Sequence, residues 1–165
     1  MSIRESFYKF CPNCKSALIR KEVDGVNRLA CENCGFIFWN NPVPVVSVII
    51  LRDNKILMLK RGNEPFKGWW VLPGGNMNVE ETPEKSIKRE TKEETGLNTE
   101  LRSLIGVYRI DDDPRGINID IIYKADGFGE IKLSSEDTEY KFFDVNNLPD
   151  KIAYKHRSAI IDSQK

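Results

Sequence analysis

Apolar positions along this chain fall into short runs that sort into strands, one helix and the turns between them. Residues 45–51 and 55–59 are rich in Val, Ile and Leu, and the Asp53-Asn54 pair between them is a turn signal, so they predict two strands of one hairpin. Residues 61–67 are polar and contain glycine, and read as a loop. Residues 100–107, 117–125 and 140–145 predict three further strands, the second punctuated by Gly127 and Gly129. Between them lie a charged loop at 109–116, whose aspartates 111–113 read as a solvated turn, and an acidic loop at 134–139. Leu148-Pro149 leads into a short terminal helix holding the only histidine, His156, which is expected at the surface. Near the amino terminus, residues 18–30 predict a hairpin around the Asp24-Gly25 turn.

One stretch abandons the period of two. Residues 74–97 read as a glycine turn, a short loop, an amphipathic helix and a glycine exit. Thr82 can cap the helix, Pro83 fits its first turn, and Gly96 stands where a left-handed C-cap ends it. Glu90, Glu93 and Glu94 at i, i+3 and i+4 crowd their carboxylates onto one face, while Lys85, Lys88 and Lys92 lie too far round to neutralise them. Like charges at that spacing cost a bare helix about 0.2–0.5 kcal/mol per pair. A hard divalent cation turns the repulsion into coordination. Without further information, a glutamate-rich helix reads first as a solvated surface.

The spacing of the flanking residues goes further. Gly75, five residues, Glu81, seven residues, and then Arg89-Glu90-Thr91-Lys92-Glu93-Glu94-Thr95-Gly96-Leu97 resembles the Nudix box, G-x5-E-x7-R-E-U-x-E-E-x-G-U with U a bulky aliphatic residue. Every fixed position is matched, and Thr91 alone departs, standing where the family has an aliphatic residue on the packing side of the helix. Trp70-Val71-Leu72-Pro73-Gly74-Gly75 is similar to the entry these chains use before the box. The resemblance implies an α+β fold, an α/β/α sandwich around a mixed sheet. It implies Glu90, Glu93 and Glu94 as ligands for catalytic Mg2+ or Mn2+, and Glu81 with Arg89 as the pair that orients box carboxylates. Gly74 and Gly75 let main chain approach metal or phosphate. For a general base or further ligand beyond the box the resemblance suggests Glu136, with Glu139 second. The implied reaction is hydrolysis of the pyrophosphate of a nucleoside diphosphate linked to a moiety X, such as NADH, ADP-ribose or FAD, to a nucleoside monophosphate and phosphoryl-X. A triphosphate-sanitising pyrophosphohydrolase, or a nucleotide-sensing or nucleic-acid-binding module with little turnover, is the alternative.

Four cysteines, all within the first 34 residues, change the picture at the amino terminus. Cys11-x-x-Cys14 and Cys31-x-x-Cys34, sixteen residues apart, read as a tetrahedral structural Zn2+ site. A disulfide pair or a redox motif fits less well, for want of an export signal and of a βαβ context. Metal binding would supply folding energy to so small a unit, about 10–16 kcal/mol in zinc-finger peptides. The expected organisation is a zinc ribbon at 1–40 and a Nudix domain at 41–165, divided at Asn40-Asn41-Pro42. At 165 residues, 40% apolar, 30% charged and formally neutral, the chain has no overall basic field toward nucleic acid or anionic membrane. The ribbon's Lys15, Arg20, Lys21 and Arg28 are diluted by Glu22, Asp24 and Glu32, so nucleic acid is not the expected partner. With no signal-peptide hydrophobic region or long apolar run, the cytoplasm is the expected compartment. Ribbon-bearing relatives often pair, so a homodimer is compatible with the resemblance.

Overall fold

A computed structural model describes residues 7–165, which divide into two compact units, one of residues up to Pro42 with Pro114–Gly116, the other Val43–Asp113 with Ile117–Lys165. In the smaller unit β1 (Ile19–Val23) and β2 (Val26–Ala30) form the expected antiparallel hairpin. Asp24 and Gly25 both have positive φ, 52° and 74°, the turn whose twist matches that of the strands it joins. A short β3 (Ile37–Phe38) adds to β2.

The larger unit holds β4 (Val43–Arg52), β5 (Lys55–Arg61), β6 (Trp70–Val71), β7 (Gly74–Asn76), α1 (Pro83–Thr95), β8 (Asn98–Ile110), β9 (Asn118–Phe128), β10 (Asp137–Asp144) and α2 (His156–Asp162). The main sheet runs β10-β5-β4-β9-β8 and is mixed, because β4 and β9 are parallel while the other neighbours are antiparallel. β4 and β5 pair only beside their turn, at Leu51↔Ile56 and Arg52↔Lys55. They then part, and residues 70–76 enter the gap, β6 against β5 and β7 against β4. β10 begins three residues before its hydropathy suggests, since the charged Asp137 and Glu139 pair with Arg61 and Lys60. Bulges interrupt β10 between Asp137 and Glu139, and β8 at two places between Leu101 and Gly106.

Alternation along β4 and β5 builds two cores. Val46, Val48, Ile50, Leu57 and Leu59 pack with Ile87 and Leu97 on the α1 side, whereas Ile49, Ile56 and Met58 pack with Ala159 and Ile160 of α2. Both faces of these strands are therefore covered, as the sandwich requires. Each such side chain contributes about 1.5–3 kcal/mol. The helices are thus held by packing more than by propensity. Among the described residues no helix is long and apolar enough to cross a membrane.

Two expectations about single residues need revision. His156 is 2% exposed, not a surface residue: Tyr154 and Lys155, at φ 58° and 60°, turn the chain so that its ring points inward. Asp113 is also buried, where it accepts a hydrogen bond from Asn118 Nδ2 at 3.2 Å, so the aspartate run is not uniformly solvated.

The caps of α1 are as the sequence implies: Thr82 Oγ1 accepts from Lys85 N–H, and Gly96, at φ 74°, donates to the Lys92 carbonyl. Its buried stripe is Ser86, Ile87, Thr91 and Thr95. Thr91 is fully buried on the packing side, and among the described residues its hydroxyl has no hydrogen-bond partner. An unsatisfied buried donor costs about 1–3 kcal/mol, and valine has nearly the same shape. Thr91→Val is therefore expected to raise stability by about 1 kcal/mol. Urea unfolding checks this, and an unchanged or lower midpoint would show that the hydroxyl is not a burden.

Candidate active site

The site starts where no side chain fits. Gly74 has φ 149°, and a Cβ there would lie 2.1 Å from the Val46 carbonyl oxygen and 2.7 Å from Ser47 Cα. At Gly75 a Cβ would lie 2.6 Å from Glu90 Oε2. Backbone excludes a side chain at Gly74, and a side chain at Gly75 would displace the Glu90 carboxylate. Val48 N–H donates to the Pro73 carbonyl at 2.9 Å, and Gly74 N–H donates to Glu94 Oε2 at 2.8 Å, tying the turn to a box carboxylate.

Arg89 gathers the others. Its Nε and Nη2 reach Glu81 Oε1 and Oε2 at 2.7 and 2.9 Å, a forked pairing that a carboxylate and a guanidinium make well. Nη1 reaches Glu90 Oε1 at 2.8 Å and Glu93 Oε2 at 3.0 Å, while Nη2 also donates to the Asn76 carbonyl at 3.0 Å. The Arg89 hydrogen bonds pull the Glu81 carboxyl down to about 2, and those same carboxylates raise Arg89 further. Glu81 is thus taken up on both oxygens. Glu90, Glu93 and Glu94 each have one oxygen held, and among the described residues their second oxygens have no hydrogen-bonding partner. Three half-engaged hard oxygen donors suit Mg2+ or Mn2+.

The electrostatics agree with that donor set. Burial raises Glu94 well above the usual carboxylate range, against the pull of Gly74 N–H and with help from Asp137, Glu90 and Glu136. Burial likewise raises Glu90, although Arg89 opposes it. Asp137 is pushed up to about 6, mainly by burial, with Glu136 adding to it and Arg61 working against it.

Glu136 and Asp137 reach this region because their loop is fixed at both ends. Lys132 N–H and Ser134 N–H donate to the Thr95 and Glu94 carbonyls at 2.8 and 3.0 Å, and Gly62 N–H donates to the Glu136 carbonyl at 2.8 Å. A Cβ on Gly62 would meet that carbonyl at 2.7 Å. Glu139 is turned elsewhere and pairs with Lys60 at 3.1 Å on the surface. Asp137 is absent from the sequence-based candidates, because the bulge that sends it inward leaves no trace in the alternation of an acidic run. Arg61 likewise falls in the stretch whose composition predicts a loop, although it ends β5.

In the smaller unit the four cysteine sulfurs lie within 4.8 Å of one another. Two equivalent turns bring them there: Lys15 N–H donates to Cys11 O and Gly35 N–H to Cys31 O, with Lys15 and Gly35 both left-handed at φ 65° and 75°. Ser16 draws the Cys14 thiol down to about 5, whereas Cys34, despite the Phe36 backbone, is pushed up to about 12 by the neighbouring thiols. Four crowded sulfurs cannot all ionise unaided, and Zn2+ is the cation such a closed thiolate set fits.

Residues 41–162 match the NUDIX domain. The chain is 48% identical over 124 residues to a Methanocaldococcus jannaschii protein named ADP-ribose pyrophosphatase, covering 74% of this chain and 73% of that one. It is 29% identical over 148 residues to the NAD-capped RNA hydrolase NudC of Vibrio atlanticus, covering 86% of this chain and 51% of that protein. The crystal structure of a NUDIX hydrolase from Nitrosomonas europaea superposes with a TM-score of 0.79 at 28% identity, over 93% of this chain and 88% of that one. With the box residues drawn around one guanidinium and one glycine turn, and the family matched across most of its length, this chain belongs to the Nudix family of pyrophosphohydrolases.

Proposed function

We propose that this protein hydrolyses the pyrophosphate of ADP-ribose or a closely similar nucleoside diphosphate derivative, giving a nucleoside monophosphate and phosphoryl-X. The observation behind this reading is the half-engaged set of Glu90, Glu93 and Glu94 in a chain 48% identical to a protein named ADP-ribose pyrophosphatase. Those three carboxylates would hold Mg2+ or Mn2+ through their second oxygens. When bound, the cation supplies charge neutralisation at the phosphates and a more acidic water. Arg89 keeps Glu90 and Glu93 aimed, and Glu81 fixes Arg89. The glycine turn holds Glu94 through Gly74 N–H and lets backbone approach phosphate. Glu136 is the residue we assign to proton removal from the attacking water, with Asp137 beside it as a further carboxylate. Cys11, Cys14, Cys31 and Cys34 would hold a structural Zn2+.

Incubation of zinc-loaded protein with ADP-ribose, NADH, FAD, 8-oxo-dGTP and ordinary triphosphates, with Mg2+ or EDTA, tests the reading. Metal-dependent AMP from ADP-ribose supports it. Pyrophosphate release from a triphosphate would move the protein to the sanitising branch, and no turnover at all would favour a sensing module. Glu94→Gln keeps an acceptor for Gly74 N–H but removes a ligand charge, so kcat is expected to fall at least about 100-fold with the melting temperature preserved or raised. A fully active variant would remove Glu94 from the ligand set.

The raised carboxyls also set a pH dependence. Glu90, Glu94 and Asp137 hold their protons longer in the folded chain than in the unfolded one, so the metal-free protein loses stability as pH rises through the ordinary carboxylate range and past the Asp137 value of about 6. Glu81, lowered to about 2, works oppositely: its stabilisation is present above the ordinary value and is lost as pH falls toward 2. Mg2+ is therefore expected to raise the melting temperature more at pH 8 than at pH 5. Equal increments in thermal scans would contradict a carboxylate-held ion.

A further inference from the structure

The backbone of residues 70–72 is held from the α2 side by a ladder that changes character halfway. Trp70 N–H donates to the Lys151 carbonyl at 2.9 Å, and Ala153 N–H donates to the Trp70 carbonyl at 3.0 Å, a parallel bridge between Trp70 and Ile152. The next rung of such a ladder would join Leu72 N–H to the Ala153 carbonyl. The chain leaves before making it. Tyr154 and Lys155 both take left-handed conformations, and the Ala153 carbonyl instead accepts from His156 N–H at 3.2 Å. Leu72 N–H is buried and finds its acceptor in the His156 ring, at 2.9 Å from Nδ1.

That contact dictates the tautomer. Nδ1 accepts an N–H and so carries no proton, which places the ring proton on Nε2. Nε2 lies 3.2 Å from both Asp120 Oδ2 and Ser47 Oγ, and Ser47 Oγ–H donates to the same Asp120 oxygen at 2.9 Å. Asp120 is 1% exposed, so the ring is aimed by a buried carboxylate on β9 and a hydroxyl on β4. Ser47 is also the register partner of Gly74, and the residue after Leu72, Pro73, is bonded to Val48. A second proton on the ring would set N–H against N–H at Leu72.

We propose that His156, aimed by Asp120 and Ser47, is a positioning residue for the active site: its Nδ1 stands in for a missing backbone carbonyl and holds Leu72, and through it the Gly74 N–H that carries Glu94. It touches neither substrate nor ligand carboxylates. The kinetic arm rests on the hydrolase reading above, while the spectroscopic arm does not. Asparagine places an oxygen near the position of Nδ1, and glutamine places its amide near Nε2. In the intact, zinc-loaded chain with ADP-ribose at saturating Mg2+, His156→Gln is expected to lower kcat about 10–100-fold with KM changed less than about threefold. His156→Asn retains most of kcat. Leu72 amide hydrogen exchange accelerates in the glutamine variant and stays slow in the asparagine variant. Equal losses in the two variants with Leu72 still protected, or a glutamine variant with undiminished kcat, would overturn the proposal. Nitrogen-15 spectra of the wild-type histidine provide a test that needs no variant: a bare Nδ1 and a protonated Nε2 are expected, and a proton on Nδ1 overturns the proposal. Failure of the wild type to turn over ADP-ribose while Leu72 is protected and Nδ1 is bare would count against the substrate reading alone.

Discussion

The adjacent glycines of the turn at Gly74-Gly75 leave no free room for a side chain, and the arrangement of the larger unit follows from them. A Cβ at Gly74 would fall onto the backbone of β4, and one at Gly75 would fall onto the Glu90 carboxylate. The backbone between them is thereby pressed into the gap where β4 and β5 part, close enough to α1 for its amide to serve as a hydrogen-bond donor to a glutamate. The sheet opens to admit the turn, and the turn brings helix and sheet into register.

Around that turn, charge is managed by division of labour. Arg89 makes an anchored pair with Glu81, using both oxygens, while its Nη1 reaches one oxygen each of Glu90 and Glu93 and its Nη2 also donates to the Asn76 carbonyl. The helix can therefore keep its like charges on one face without scattering the side chains. The residual repulsion is concentrated on Glu94, Glu90 and Asp137, whose burial raises all three. The same pattern recurs chemically, though not structurally, among the four crowded thiols of the smaller unit.

Most of this was legible in the sequence because it depends on local signals. The α1 caps, the two hairpin turns, the box spacing and the paired cysteine knuckles are each written within a few residues, where backbone conformation is decided by the chain itself. What was not legible depends on register and on distant backbone. Nothing near Asp137 announces a bulge, so Glu136 and Glu139 are the candidates that run offers. Nothing near His156 announces that two non-glycine residues before it adopt left-handed conformations and turn the ring into the core. Thr91 could be placed on the packing side by helical period, but the solitude of its hydroxyl required the neighbours.

The bulges have a consequence beyond aiming side chains. β8 and β10 are the outermost strands of the sheet order, and β8 is thirteen residues long with Leu104 and Val107 exposed. A straight border of that length would offer unpaired amides and carbonyls as a template on which a foreign chain could lay down a strand. Two irregularities within β8 and one within β10 break the repeat into short stretches, each out of step with the next. The departure from regular pairing that turns Asp137 inward thus also shields a border of the sheet from aggregation.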